Sequence, residues 1–562
     1  MAVAQAGFRI ANLMSTVGMI AVDYGYVMYV DKGTSRFNEV DALMAKLSAL
    51  QSKNEALTKK AMLSKNDDRG ADVTRDSLKH WKLKIAECRK EMDAVSDELA
   101  RMSEKGRYSS LSEVHKRSAD RLCRLCRENR GIYIKLGQHI SQLDHLVPDE
   151  YIASLRPLLA DAPRSEWEAV CRVVEEDLGQ KPEDMFVIFE KQPLASASLA
   201  QVHIAYDEAG KKYAVKVQHE GLREGSRGDL VAITFLVEQL SQMFDGFSYL
   251  WLAREMNANL PLELNFEVEA ANCNKCREQL ADMISTGDVA LPEIHKSAPR
   301  VLVMGFEDGS FVNTEGALQG MGLKESDVAR TISRTFCEQI YRHGFVHCDP
   351  HEANLLVRRH PFKEGAPQIV LLDHGLYREL HDDFRRNYCR LWRGLVTSDE
   401  KEIKANCEKM NAGAIYTLLA AMLTMKPWDD IVSDDMGRLK SKGTRGESEM
   451  LKSYAKKYFK DIVGLLGTVP PEMLLLLKTN DCLRHLDTAL GVPVNTATIV
   501  AQVTSDVILW EDLMSNSDYQ IKLKAIRDYV NVCIRVMALK TIDLWLRARN
   551  VFSYWLSYLT VG

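Results

Sequence analysis

Between Tyr341 and Leu376 the chain reads YRHGFVHCDPHEANLLV, a variable connector, and then QIVLLDHGL. Two short apolar runs, Asn354 to Val357 and Ile369 to Leu372, have the aliphatic character of strands. Each adjoins polar groups at fixed spacing: Asp349 stands five residues before Asn354, and Asp373 closes the second run. A carboxylate, an amide and a second carboxylate at the ends of neighbouring strands can position a hydroxyl, hold a metal ion and bridge that ion to phosphate. The same stretch admits two other readings. His343, His347 and His351 lie four apart with Asp349 among them, which suits a metal site, and the segment can also be a polar loop between core strands.

The rest of the chain decides among these. With 562 residues the chain exceeds what one core organises, so two or three units are expected, and 46% hydrophobic residues support globular packing. A net charge of -5 with no Lys/Arg tract or base-stacking motif argues against a nucleic-acid partner. Twelve cysteines in so long a chain do not form a disulfide scaffold. The pairs Cys123/Cys126 and Cys273/Cys276 have zinc-like spacing, but in helical, charged surroundings a spacing of three merely sets two small side chains on one face. A reducing compartment, or one without obligatory disulfides, fits best.

In chain order, the acid-poor start with its apolar run from Leu13 to Val22 can be a targeting segment, a partial membrane anchor or a buried helix. From 40 to 105, leucines and other apolar residues step by three and four on either side of a polar SKNDDRG turn, the pattern of an antiparallel helical hairpin that serves as a spacer or partner-docking arm, or is a solvated insertion. Helical periodicity resumes at Leu111 and leads into GIYIKLGQ.

Residues 185 to 218 read as strand, turn, strand, strand. The small-residue loop PLASASLAQ contains Ala195, Ser196, Ala197 and Ser198, and the strand Tyr213 to Val217 contains Lys216. In protein kinases a small-residue loop covers ATP, a lysine on the following strand meets the α and β phosphates, and a glutamate on a helix holds that lysine. Glu269 or Glu263, in the acidic helical stretch 255 to 280, can supply the carboxylate. Alanine and serine stand where protein kinases use glycine, which stiffens the loop and lowers the expectation of protein phosphorylation. The strand Arg300 to Asp308, with Met304, suits an inter-lobe hinge against adenine. Asp349, Asn354 and Asp373 fall in the kinase order of catalytic Asp, metal-holding Asn and metal-bridging Asp. The triplet is DHG rather than DFG, and no APE follows. The last helical stretch, Tyr529 to Leu559, mixes aromatic and basic residues in a way that suits a membrane interface or packing on the C-lobe.

Taken together, KLGQ at 135 to 138, ASASLAQVH at 195 to 203, AVKV at 214 to 217, HCDPH with Asn354, and LLDHG resemble the UbiB family of AarF-domain-containing atypical kinases. The similarity spans roughly residues 110 to 490, and LLLLKTND adds to the likeness with the AarF-domain-containing kinase 1 branch. The resemblance implies an α+β, bilobal protein-kinase-like fold with an N-terminal helical extension and a helical C-terminal region. It also implies ATP and Mg2+ as cofactors, with Lys135 and Gln138 of the KxGQ motif gating the site by pairing with Glu263, and Glu269 pairing with Lys216. Three departures stand out: Asn265 replaces the family's Asp, Glu352-Ala353 replaces Pro-Gly beside Asn354, and Gly305 replaces an acidic hinge residue. Family members support coenzyme Q or other lipid metabolism at mitochondrial membranes, and plastid relatives exist.

The expected organisation is a targeting or membrane-proximal segment (1–39), the helical hairpin (40–109), the KxGQ extension (110–164), a kinase-like N-lobe (165–308), a catalytic C-lobe core (309–400) and a helical C-terminal region (401–562). The expected activity is ATP- and magnesium-dependent phosphoryl transfer or ATP hydrolysis at the mitochondrial inner membrane. The acceptor is expected to be small or lipid-associated, and a protein partner to dock through 40 to 105. The alternative is a nucleotide-dependent binding module whose ATP state changes how it holds lipid or protein.

Overall fold

The computed structural model describes residues 2–26, 108–141, 147–159, 163–243, 250–424, 428–431, 470–491, 496–515 and 518–560, with isolated helical positions between 46 and 95. The hairpin arm therefore lies almost wholly outside the described residues. The chain divides into two compact units, 1–162 and 163–562.

The first unit is helical. The helix Ala2–Gly25 packs on Tyr108–Asn129, followed by Ile132–Ser141, Asp149–Leu155 and a 3-10 turn Arg156–Leu159. Asp23, the charge that interrupts the N-terminal apolar run, is paired with Arg121 and lies 3.8 Å from Arg117. Asn12 donates to Glu128 at 2.9 Å and to Asn129 at 3.1 Å. An isolated carboxylate on an apolar helix costs less when arginines from a neighbour neutralise it.

The second unit is α+β and bilobal. Its N-lobe sheet contains β1 (Ile188–Phe189), β2 (Ala195–Ser196), β3 (Ala200–Tyr206), β4 (Lys212–Gln218), β6 (Ile294–Ser297) and β7 (Val301–Gly305). The order is β1-β3-β4-β7-β6, all pairs antiparallel, with β2 folded back on β3. Alternation along the strands gives the sheet two covered faces. Val215, Val217, Val301 and Val303 pack on Val170, Val173 and Val174 of the helix Trp167–Leu178. Ala200, Leu302 and Met304 pack on Phe266 and Ala270 from the other side. Fully burying one such valine contributes about 1.5 kcal/mol or more, so the register of the central strands is strongly specified.

The C-lobe holds a four-stranded sheet of β5 (Val289–Ala290), β11 (Pro367–Leu371), β10 (Leu355–Arg359) and β8 (Ser310–Phe311), and a two-stranded ribbon of β9 (Phe345–His347) with β12 (Tyr377–Glu379). The β5–β11 pair is parallel and the others are antiparallel. The helix Glu325–Cys337 runs beneath this sheet and passes into a π-turn, Glu338–His343, that ends at Gly344 with φ 64°. An added Cβ there would stand 3.0 Å from Arg385 Cδ and 3.4 Å from Leu380 O, so only glycine makes this corner into β9 without displacement. The helices Asp382–Thr397, Glu400–Lys409, Tyr416–Thr424, Pro471–Ala489 and Thr496–Ser515 share a second core with the π-turn through Tyr341, Tyr388, Leu391 and Leu476.

The acidic helical stretch 255 to 280 comprises two helices, Leu250–Glu263 and Phe266–Gln279, broken at Leu264–Asn265. The break follows from Asn265, whose extended backbone (φ -131°) begins the second helix as its N-cap. The final helix, Tyr519–Thr560, bears out the helical expectation, and its aromatic side chains from Trp545 onward lie outside the described residues. Among the described residues no helix is long and apolar enough to cross a membrane.

Candidate functional site

Lys216 lies on β4 between Val215 and Val217. Because these two face the helix Trp167–Leu178, Lys216 points to the opposite side of the sheet, toward the helix Phe266–Gln279 and the cleft. Its Nζ donates to Glu269 Oε1 at 2.8 Å, to Glu269 Oε2 at 2.9 Å and to Asp373 Oδ2 at 3.1 Å, and it stands 5.1 Å from the centre of the Phe266 ring. Three residues expected at the site from widely separated stretches are thus joined through the Lys216 ammonium.

Exposure grades across this triad. The Glu269 side chain is 4% exposed, Lys216 15% and Asp373 42%, so the triad runs from the protein interior to the mouth of the cleft. Burial alone would lower the Lys216 pKa, but the Asp373 and Glu269 carboxylates reverse this and hold it above its ordinary value. Burial raises Glu269 to about 7 despite the neighbouring ammonium. Burial also works against charge on Asp373, yet the Lys216 ammonium and the Gly375 N–H, which donates to Oδ1 at 2.8 Å, keep its carboxyl well below the usual range.

The DHG segment is tied to the Glu269 helix twice over. The His374 backbone N–H supports the Glu269 carboxylate, and Asn272 donates to His374 O at 3.0 Å. An added Cβ at Gly375 would lie 3.1 Å from Asp373 Oδ1 and 3.9 Å from Glu269 Oε2, which explains glycine in the third place of the triplet. The His374 ring stacks on Tyr377 and bonds its hydroxyl at 2.9 Å. Burial, then His347, pushes its pKa down to about 3, so the ring is neutral and acts as core packing.

Asp349 and Asn354 bracket the turn after β9. Asn354 Nδ2 donates to Asp349 O at 3.0 Å, which orients the amide so that its oxygen is the atom offered to a cation. His347 is buried and accepts the Asp349 backbone N–H at Nδ1 (3.1 Å), while the His347 backbone N–H donates to Gln339 Oε1 at 3.1 Å. His351 accepts the Ala353 N–H at 3.1 Å. These histidines shape the loop, and among the described residues no group of three or more His, Cys, Asp or Glu is arranged to hold a metal ion. Two oxygen donors, Asp373 and Asn354, fit magnesium, which takes few protein ligands and completes its shell with phosphate and water.

The loop residues are placed as a tight hairpin: Ala195 and Ser196 form β2, opposite Val202 and Gln201, and Ala197 N–H closes the turn on Ala200 O at 2.8 Å around Ser198. The Ser196 hydroxyl donates to Pro163 O. His219, which the sequence did not single out, grips the turn from the far side: its N–H donates to Leu199 O at 3.0 Å, and its Nε2 lies 3.0 Å from Ala197 O.

Met304 sits inside β7, paired on both sides with Ala214 and Ile294, and its side chain packs with Leu302 and Phe266 on the face of the sheet that carries Lys216. Gly305 N–H is taken by Glu293 O at 2.8 Å and Phe306 N–H by Lys212 O at 3.2 Å, which moves the connector's start to residue 307. Glu263 lies part-buried at the end of Leu250–Glu263. Lys135 and Gln138 lie in the first unit on Ile132–Ser141, where Gln138 Nε2 donates to Leu158 O at 2.9 Å.

Residues 157–407 match the model of the ABC1 atypical kinase-like domain. The chain is 43% identical over 411 residues to an ABC1 protein of Arabidopsis thaliana, covering 71% of this chain and 76% of that one. It is 41% identical to AarF domain-containing protein kinase 1 of Xenopus tropicalis, covering 70% of this chain and 74% of that protein. The chain belongs to the ABC1, or AarF-domain-containing, family of atypical kinases. Among solved structures, a complex of Rv3197 with erythromycin from Mycobacterium tuberculosis is 21% identical and covers 70% of this chain and 95% of that one, with a TM-score of 0.40.

A further site residue had no chemical signal in the sequence. Lys478, within the LLLLKTND run that resembles AarF-domain-containing kinases, reaches the cleft from the helix Pro471–Ala489, its Nζ 3.7 Å from Asp349 Oδ1.

Proposed function

We propose that this ABC1-family chain transfers the terminal phosphoryl group of ATP to a hydroxyl acceptor or to water, using Mg2+. The observation that carries the reading is the Lys216–Glu269–Asp373 triad. It sets a buried, anchored ammonium beside a half-exposed carboxylate at the junction of the two lobes, the arrangement a triphosphate with its metal requires.

The residues divide the work as follows. The hairpin at Ala195–Ser198 covers the phosphates, and the connector after β7 meets adenine. Lys216, fixed by Glu269, neutralises the α and β phosphates. Asp373 and Asn354 would hold a magnesium ion, which would screen the phosphate charge. Asp349 orients the acceptor hydroxyl in line with the γ-phosphorus and takes its proton as the new O–P bond forms and the bond to the β-phosphate oxygen breaks. Lys135, Gln138 and Glu263 gate access, as the family resemblance implies. That resemblance also supports a small, lipid-associated acceptor and a role in mitochondrial lipid or coenzyme Q homeostasis at the inner membrane, with a plastid address as the other option.

The test is ATP turnover by the purified full chain with magnesium, with and without cardiolipin-containing vesicles, beside Asp373→Asn. Turnover lost in the variant, and raised by vesicles, is the expected result. Nucleotide binding without variant-sensitive turnover would replace this reading with the nucleotide-dependent binding module.

A further inference from the structure

A phosphoryl group in transit carries charge on three oxygens, and cations placed around it stabilise that charge. Lys216 serves the leaving-group side and is already held by Glu269 and Asp373. The four residues between Asp349 and Asn354 are Pro350, His351, Glu352 and Ala353, none of them lysine or arginine. The catalytic turn therefore brings no permanent cation of its own.

Among the described residues, Lys478 brings a cation to Asp349 from another element. Its ammonium lies 3.7 Å from Asp349 Oδ1, with the two side chains 26% and 24% exposed, so both stand at the cleft surface. The separation is longer than the 2.7–2.9 Å of a tight charge-assisted bond.

The helix that carries Lys478 is held rigidly. Leu475, Leu476, Leu483 and Leu486 are buried. Asn480 donates to the Tyr388 hydroxyl at 3.1 Å, and Arg484 donates to the carbonyls of Met422 and Leu423 at 2.9 and 3.1 Å. One turn beyond Lys478, burial and then the Asp349 charge push the Cys482 thiol up to about 12.

We propose that Lys478 is a catalytic residue that contacts the γ-phosphoryl group of bound ATP, leaving Asp349 for the acceptor when nucleotide enters. This rests on the phosphoryl-transfer reading above, and it assigns the KTND segment a chemical role.

The experiment compares affinities for ATP and ADP, each with magnesium, in the full-length wild type, Lys478→Met and Lys478→Arg, alongside kcat and the unfolding midpoint. A lysine that touches the γ-phosphate favours ATP over ADP. The Met variant should lower that preference about tenfold and kcat about 100-fold or more, with ADP affinity and unfolding midpoint unchanged. The Arg variant should keep most of the preference, because it keeps the charge. A fall in kcat with an unchanged ATP/ADP ratio in both variants would overturn the proposal and leave Lys478 positioning Asp349 alone. Should the Met variant fail to fold, the ratio in Lys478→Arg and Lys478→Gln decides, Gln losing the preference that Arg keeps. A wild type that binds neither nucleotide refutes the phosphoryl-transfer reading itself, an outcome distinct from an unmoved ratio.

Discussion

Lys216 and Glu269 meet through both carboxylate oxygens, at 2.8 and 2.9 Å, inside a pocket that leaves the glutamate 4% exposed. Burial places the Glu269 pKa at about 7, above its ordinary 4.5, so near neutrality this carboxyl is half-titrated while Lys216 stays charged. The competent state has the carboxylate ionised, since only then is the ammonium held by two charge-assisted bonds.

From this, kcat/KM for ATP turnover should rise with pH through an apparent pKa near 7, the limb belonging to the free enzyme. In Glu269→Gln the limb should disappear, with kcat/KM at pH 8 lower by about 100-fold because Lys216 is no longer fixed. An unchanged limb in the variant would show that another group titrates. The stability sign is opposite. The folded chain holds the Glu269 proton up to about pH 7, whereas the unfolded chain releases it near 4.5. This group's contribution is therefore fully favourable below the lower value and is lost as pH rises to 7.

The Asn265 side-chain oxygen accepts the Glu267 N–H at 3.2 Å, capping the helix that carries Glu269. Asparagine and aspartate both cap helices, so Asn265→Asp should leave stability within a few tenths of a kcal/mol, while Asn265→Ala should cost about 1 kcal/mol. Chemical unfolding of the two variants measures the difference. Equal midpoints for Ala and wild type would mean that the cap contributes nothing.

The chemistry was more legible in the sequence than its supports. Asp349, Asn354 and Asp373 announce themselves because their spacing is set locally, by one turn and two strands. Lys216 does so because a charged residue in an AVKV strand has to face away from the core. Lys478 lies 129 residues beyond Asp349, and nothing in a helical run rich in leucine says which way its lysine points. His219 acts through its ring and backbone on a turn some twenty residues earlier, a contact that exists only once β2, β3 and β4 have paired. The helix break at Leu264–Asn265 was hidden for a related reason: capping depends on one backbone conformation, which the acidic periodicity on either side masks. Where the connector after β7 begins was hidden because a buried strand and the turn that follows it look alike until β4 and β6 pair with β7 from both sides.

Gly344 offers a test of the corner that delivers Phe345–His347 to the site. At φ 64° an alanine pays the left-handed penalty of about 1–2 kcal/mol, and its Cβ must also push against Arg385 Cδ, 3.0 Å away. Gly344→Ala should lower the unfolding free energy by at least that amount. It should also reduce kcat through displacement of Asp349, with a smaller effect on ATP affinity, since Lys216 and Glu269 lie outside this turn. A variant with lower nucleotide affinity and normal kcat would contradict that division.

Glu352 places a carboxylate two residues from Asn354, and by charge alone it should tighten magnesium binding. Its position argues otherwise. Glu352 Oε2 accepts from Asn313 Nδ2 at 2.5 Å, at the end of β8, so the carboxylate is turned toward the Asn313 side chain. The Asn354 amide is meanwhile fixed by Asp349 O, independently of Glu352. Glu352→Gln keeps the acceptor for Asn313 and removes only the charge, so the magnesium concentration for half-maximal turnover should stay within about twofold, as an exposed charge contributes little. Asn354→Ala removes a donor oxygen and should raise that concentration tenfold or more. A large magnesium shift in Glu352→Gln would mean that the carboxylate leaves Asn313 and joins the metal when nucleotide binds.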